Sequence, residues 1–285
     1  MEVTIDDLQS ARNAIAGGAS RLEVCSMLSE GGLTPTIGFF KFISHMSLVP
    51  CYAMLRSRPG DFVYIKEEIE IMLSDLNVFK KSGVDGFVFG ALTRDGEIDV
   101  KACQLILSAA QPLPVTFHRA FDQVNDPIKS LRTLIDLGFK RVLTSGQKDT
   151  AEEGLELIKK LVDEAQDKII VMAGSGITKD NISKIHSQSG VKEFHASVRQ
   201  RLETGRPVNK VKIGANENTF IMETDKKMVE AMVALVGPVT YEQRLSLVTF
   251  KPKRLYSKAE VVDYHSIMTA GFYSIVQVRM SQAMH

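Results

Sequence analysis

Two hydrophobic rhythms alternate along the chain. Segments with apolar residues three and four apart, such as 67-EEIEIMLSDLNVFKK, 127-PIKSLRTLIDL and 151-AEEGLELIKKLVDEA, predict amphipathic helices. Between them lie short β-rich runs. The change of rhythm is often marked by glycine, in 16-AGGASRLEVC, 82-SGVDGFVFG, 137-LGFKRVLTSG and 189-SGVKEFHAS. Glycine just past a helix supplies a left-handed cap, so each phrase reads as a helix-to-strand junction. Asp126 before Pro127 reads as an N-cap followed by a first-turn proline.

Further strand-like runs at Glu2–Ile5, Cys51–Arg56, Val115–His118 and Ile169–Ala173 bring the expected strands to eight. Strands that alternate with helices of this length favour a parallel sheet. Eight such units suit an α/β fold of the (β/α)8 TIM-barrel type. A doubly wound open sheet is the runner-up, but it would want a GxGxxG turn after the first strand, and 3-VTIDDLQSA has none. The phrasing stops near Leu235. We therefore expect a barrel domain over 1–236 and a C-terminal extension of unknown role over 237–285, in which Ser257 to Glu260 could open one more helix as a capping box.

Composition narrows the function classes. With 35 basic and 34 acidic residues the chain carries no global field to attract nucleic acid or an anionic membrane. Cys25, Cys51 and Cys103 show no CxxC spacing, which argues against a disulfide framework or a structural zinc site and for a reducing compartment. The opening MEVTIDDLQ lacks the basic and apolar runs of a targeting peptide. No apolar stretch reaches the roughly 18 residues of a membrane span. The expected setting is the cytoplasm, with the nucleus as a second location.

In a TIM barrel, functional groups collect at the C-terminal ends of the strands, and inward-facing residues alternate. This rule gathers Glu2 and Thr4, Glu23 and Cys25, Met54 and Arg56, Thr116 and His118, Ser145, and His195 and Ser197. Barrel interiors are ordinarily filled by Val, Ile and Leu, so the set points to a site. Its carboxylates need partners: Arg56, Arg119, a protonated histidine or a metal. We take Glu2, Glu23, Arg56, His118, Arg119, Asp122 and His195 as the candidate polar site. Asp122 is placed to orient His118 or Arg119, and His118 can be a general base, a general acid or a metal ligand. Gly174, Ser175 and Gly176, after the seventh strand, form a candidate anion cradle or simply a tight turn. Cys103 reads as a buried helix thiol. Cys51 opens the third strand, far from the site, and His45, His186, His265 and His285 fall on helical or terminal patterns.

The stretches 23-EVCSMLSEGGLTPTIG, 86-GFVFGALTRDGEID, 113-LPVTFHRAFD, 138-GFKRVLTSG and 193-EFHAS closely resemble the CutC copper-homeostasis family, from Met1 to about Leu235. The resemblance implies a cytoplasmic TIM barrel, a homo-oligomer (dimer or tetramer), and handling of Cu(I). It also implies a Cu(I) site that pairs a first-strand cysteine with Cys25, whereas this chain has Thr4 in the first strand. Cu(I) is soft and a hydroxyl is a poor ligand for it. Binding through Cys25 is therefore expected to be weakened, with Met54, Met27, a histidine or another subunit's thiol as substitute partner. The competing expectation is a barrel enzyme acting on a small anionic or phosphorylated metabolite. There the cradle would hold the anion, Arg56 or Arg119 would neutralise it, and His118 with Glu2 or Glu23 would move a proton. A plain scaffold would explain the barrel but not the convergent polar groups.

Overall fold

A computed structural model describes residues 1–203 and 220–236. The expected extension over 237–285, with its capping box, lies outside the described residues. Eight parallel strands, β1 (Glu2–Ile5), β2 (Arg21–Val24), β3 (Cys51–Met54), β4 (Gly86–Phe89), β5 (Val115–Phe117), β6 (Arg141–Thr144), β7 (Ile170–Gly174) and β8 (Glu193–Ala196), close into a barrel in sequence order. The seam joins β1 to β8 with Glu2 opposite His195. Helices α1 (Leu8–Ala16), α2 (Ile37–Met46), α3 (Lys66–Lys81), α4 (Val100–Ala110), α5 (Pro127–Leu137), α6 (Leu155–Ala165) and α7 (Ile182–Ser189) fill the crossovers, and α8 (Lys226–Val236) completes the ring beside α1 and α7.

The local signals act as the sequence suggests. Asp126 accepts a hydrogen bond from the Lys129 amide ahead of Pro127, and Asp7, Thr36 and Asp99 cap α1, α2 and α4 in the same way. The junction glycines Gly18, Gly83, Gly138 and Gly190 all have positive φ, between 76° and 91°, the left-handed geometry that lets a chain leave a helix and turn into a strand.

Alternation along the strands separates two interiors. Val3 and Ile5, Leu22 and Val24, Phe87 and Phe89 point outward into an apolar layer shared with Phe40, Phe79, Ile106, Leu131 and Leu161 of the helices. The opposite faces point into the barrel, where a small cluster of Cys25, Tyr52, Met54 and Val88 meets buried charged residues. Between β8 and α8 the structure adds an antiparallel pair that the periodicity does not announce, β9 (Arg199–Glu203) and β10 (Phe220–Thr224). In 199-RQRLE charge interrupts the apolar pattern. The pair is tied down where Ser10 Oγ accepts from the Thr224 amide and Thr224 Oγ1 donates to the Ser197 carbonyl. No helix of the described residues is long and apolar enough to cross a membrane.

Candidate functional site

The floor of the barrel is ionic. Arg21, from the start of β2, pairs with Glu2 and, at 2.7 Å, with Glu193; Arg141, from the start of β6, reaches the same Glu193 oxygen at 2.8 Å. Tyr52 is packed under both guanidinium groups, 5.2 Å and 5.8 Å from its ring, and its hydroxyl lies 3.3 Å from Arg141. Burial works against the ionised carboxylate of Glu2, but Arg21 and His195 outweigh it and hold Glu2 well below the usual carboxylate range. Of the partners expected from sequence, a histidine, His195, does reach Glu2, while Arg56 and Arg119 do not; the principal cation, Arg21, is not among those expected. The signal was available. The alternation that selects Glu23, Ser145 and His195, carried toward the strand starts, passes through Arg21, Arg141 and Glu193.

Above this floor Glu2 holds His195, whose Nδ1 lies 2.7 Å from Glu2 Oε1. The other ring nitrogen faces Glu23, with 3.6 Å between Nε2 and Oε2. The second Glu23 oxygen, Oε1, is buried without a hydrogen-bond partner among the described residues. Burial raises the pKa of Glu23, His195 and Glu2 pull in opposite directions, and the Thr4 hydroxyl and Arg21 favour the charged form. For His195 burial disfavours the charge, yet Glu23 and Glu2 prevail and raise its pKa.

A cavity of about 940 Å³ opens over this layer. Glu23, Arg56, His118, Arg119, Asp122 and His195 all line it, with Ser175 and Gly176 at the rim. Glu2, Gly174 and Cys25 stand behind that wall. Arg56 lies beyond the end of β3, and its guanidinium clamps loops by donating to the carbonyls of Glu30 (2.6 Å), Gly32 (3.2 Å) and Gly60 (3.0 Å). Phe62 packs on both Arg56 and His118, 5.0 Å and 4.9 Å from its ring.

His118 is not the titrating base that its unperturbed pKa suggests. Its Nδ1 accepts from the Ala120 amide at 3.2 Å, which places the ring proton on Nε2. Burial, reinforced by Arg56, pushes its pKa down to about 3. The imidazole is thus a neutral N–H donor, and its Nε2 has no partner among the described residues. Asp122 orients Arg119 at 2.8 Å, not His118, and it also gathers the Thr144 hydroxyl and the Ser145 and Gln147 amides. Ser145 sits in the loop after β6, bonded to Asp122, and does not face inward from the strand.

The Gly174–Gly176 turn has structural reasons for its composition. A β-carbon at Gly174 would lie 2.6 Å from Leu143 Cδ1, and Gly176 has φ +65 with Thr150 2.8 Å from where its β-carbon would stand. Ser175 shares the left-handed backbone (φ 76°) and donates to the Asp149 carbonyl at 2.7 Å.

Cys25 is fully buried beneath the loop that carries Gly31 and Gly32. Its Sγ lies 3.5 Å from Thr4 Oγ1 and 3.5 Å from the Ile5 carbonyl oxygen. Burial, with Glu23 nearby, lifts its thiol pKa well above the ordinary value. Gly32 has φ +86, a left-handed backbone, and a β-carbon there would stand in ordinary contact, 3.4 Å, with both Cys25 Sγ and Met54 Cε. Met54 is therefore the thioether beside Cys25, while Met27 is 52% exposed in the loop above. Cys51 is in the outer apolar layer and Cys103 is a buried thiol of α4, as expected.

The sequence of residues 1–200 matches the CutC family model. The chain is 50% identical over 205 residues to the human copper homeostasis protein cutC homolog, covering 72% of this chain and 75% of that protein. It is 42% identical over 240 residues to the Caenorhabditis elegans homolog, covering 84% and 96%. Among solved structures, the CutC of Streptococcus agalactiae superposes with a TM-score of 0.66 at 34% identity, over 69% of this chain and 97% of that one. A closed eight-stranded barrel, a polar mouth and relatives of this similarity together place the chain in the CutC family.

Proposed function

We propose that the protein serves copper homeostasis in the cytoplasm and takes Cu(I) as cargo on a soft pair, Cys25 Sγ and the Met54 thioether. The observation that carries this reading is the packing of both side chains against Gly32, in an inner cluster of the barrel that contains sulfur from two residues. Cu(I) prefers thiolate and thioether donors, so this pair fits it. Thr4, 3.5 Å from the thiol, adds only a hydroxyl, which keeps the site weak. The test is a Cu(I) competition titration against a chromophoric chelator under anaerobic conditions. Cys25→Ala should abolish Cu(I) uptake and Met54→Leu should weaken it. Uptake unchanged in Cys25→Ala would refute the assignment.

A second reading is favoured by one feature, the unpartnered Nε2–H of the neutral His118 at the cavity wall. In it the cavity takes a small anionic molecule: His118 donates to an oxygen, Arg119 supplies charge, and the Gly174–Gly176 turn offers backbone amides at the rim. Thermal-shift measurements with inorganic phosphate and small carboxylates should show stabilisation that His118→Phe removes. A flat response to both would end this reading.

A further inference from the structure

The buried trio Glu2, Glu23 and His195 has a geometry that neither the soft pair nor the anion reading uses. One ligand atom from each lies within 4.8 Å of the others. The three are not equivalent. Glu2 is committed to Arg21 and, through 2.7 Å, to Nδ1 of His195. That leaves Nε2 of His195 and the carboxylate of Glu23 facing each other on the cavity wall.

Their separation is the informative number. At 3.6 Å it is too wide for a direct hydrogen bond. It matches the spacing of two ligands around one small cation: bonds of about 2.1 Å at a tetrahedral angle set the two atoms about 3.4 Å apart. A second observation is independent of that distance. Glu23 Oε1 is buried with no partner among the described residues, although Glu23 is only 3% exposed. A carboxylate oxygen left so costs free energy unless something cationic or hydrogen-bonding joins it.

We propose that Glu23 and His195 bind a borderline divalent transition-metal ion at the wall of the barrel cavity, with Glu2 as a positioning residue. A carboxylate behind a histidine fixes the tautomer and ring orientation of a metal-bound imidazole. One imidazole and one carboxylate suit Zn²⁺ or Cu²⁺; an all-oxygen set would suit Mg²⁺ or Ca²⁺, and sulfur would suit Cu(I). The remaining coordination positions face the cavity, where solvent or a ligand oxygen completes them. This site stands apart from the Cu(I) pair, because Cys25 is not among the atoms that gather within 4.8 Å.

The experiment is a Zn²⁺ titration of the full chain against a chromophoric chelator. One site per chain is expected, weakened by at least about tenfold in Glu23→Gln and His195→Gln and by about tenfold in Glu2→Gln. His186→Gln, on the exposed side of α7, should leave it intact. Should the buried substitutions unfold the protein, Cu²⁺-loaded wild type remains decisive: its electron paramagnetic resonance spectrum should carry coupling to a single imidazole nitrogen. Zn²⁺ binding that survives both ligand substitutions, vanishes instead in Cys25→Ser, or shows no imidazole coupling overturns the proposal. Loss of Cu(I) uptake in Cys25→Ala with Zn²⁺ binding retained separates this proposal from the copper reading.

Discussion

Thr4 Oγ1 and Cys25 Sγ face each other at 3.5 Å across the first two strands, and both residues are buried. A sulfur in place of the Thr4 oxygen would stand beside the existing thiol without rebuilding the backbone. Thr4→Cys should therefore raise Cu(I) affinity on the order of tenfold or more, since a second soft donor replaces a hard one. Competition titration of wild type and variant side by side measures this. An unchanged affinity would mean that copper does not enter between these strands.

His118 supplies a pH dependence whose sign is fixed by its environment. Its pKa is about 3 in the fold and about 6.5 when unfolded, so only the unfolded chain gains this proton between those values. Stability is unaffected by this group above pH 6.5 and falls as pH drops below it, by at most about 1.4 kcal/mol per unit. Between pH 8 and pH 5 wild type should lose about 2 kcal/mol more than His118→Gln. Parallel losses in urea denaturation at the two pH values would show that the imidazole titrates normally.

Much of this was legible in the residues, and the reason is the period of two. The alternation that sends Val3 and Ile5 to the helices also sends Glu2 and Thr4 into the barrel, so the convergence of Glu23, His118 and His195 follows from counting once the barrel is accepted. Pairing is harder to read. Arg56 and Arg119 look like the cations for Glu2, but both lie past the strand ends, where loop carbonyls and Asp122 take them. Arg21 is a neighbour of Glu2 only through the register of two parallel strands. The tautomer of His118 depends on the Ala120 amide, a backbone group that the residue pattern does not reveal.

The ionic floor should be costly to break by halves. Arg21 is the shared partner of Glu2 and Glu193, so Arg21→Met leaves Glu2 without its main cation and Glu193 with Arg141 alone. A buried pair that loses one member is typically destabilised by about 3–5 kcal/mol. Adding Glu2→Gln to Arg21→Met should recover part of the loss, because the uncompensated charge is removed with its partner. Chemical denaturation of the two single variants and the double variant closes the cycle. Strict additivity would mean that the two groups do not depend on each other.

Asp122 gives the sharpest contrast between charge and hydrogen bonding at the mouth. Its Oδ1 receives the Thr144 hydroxyl at 2.5 Å, the Ser145 amide at 3.0 Å and the Gln147 amide at 3.3 Å. Its Oδ2 receives Arg119 Nε at 2.8 Å and the Ser145 hydroxyl at 3.1 Å. Both oxygens thus face donors, and an asparagine there must turn its own N–H₂ toward one of the two sets. Asp122→Asn should cost about 1–3 kcal/mol for the donors it leaves unmet. Arg119 is 44% exposed on its side chain, so its ion pair is worth at most about 1 kcal/mol, and Arg119→Ala should be the milder change. Raising the salt concentration should shrink the Arg119→Ala effect and leave most of the Asp122→Asn effect in place, because solvent screening acts on the exposed pair and not on the buried amide bonds. The reverse order of cost, or an Asp122→Asn loss that salt erases, would show that Asp122 acts through its charge and not as the acceptor that ties the loop after β6 to the loop after β5.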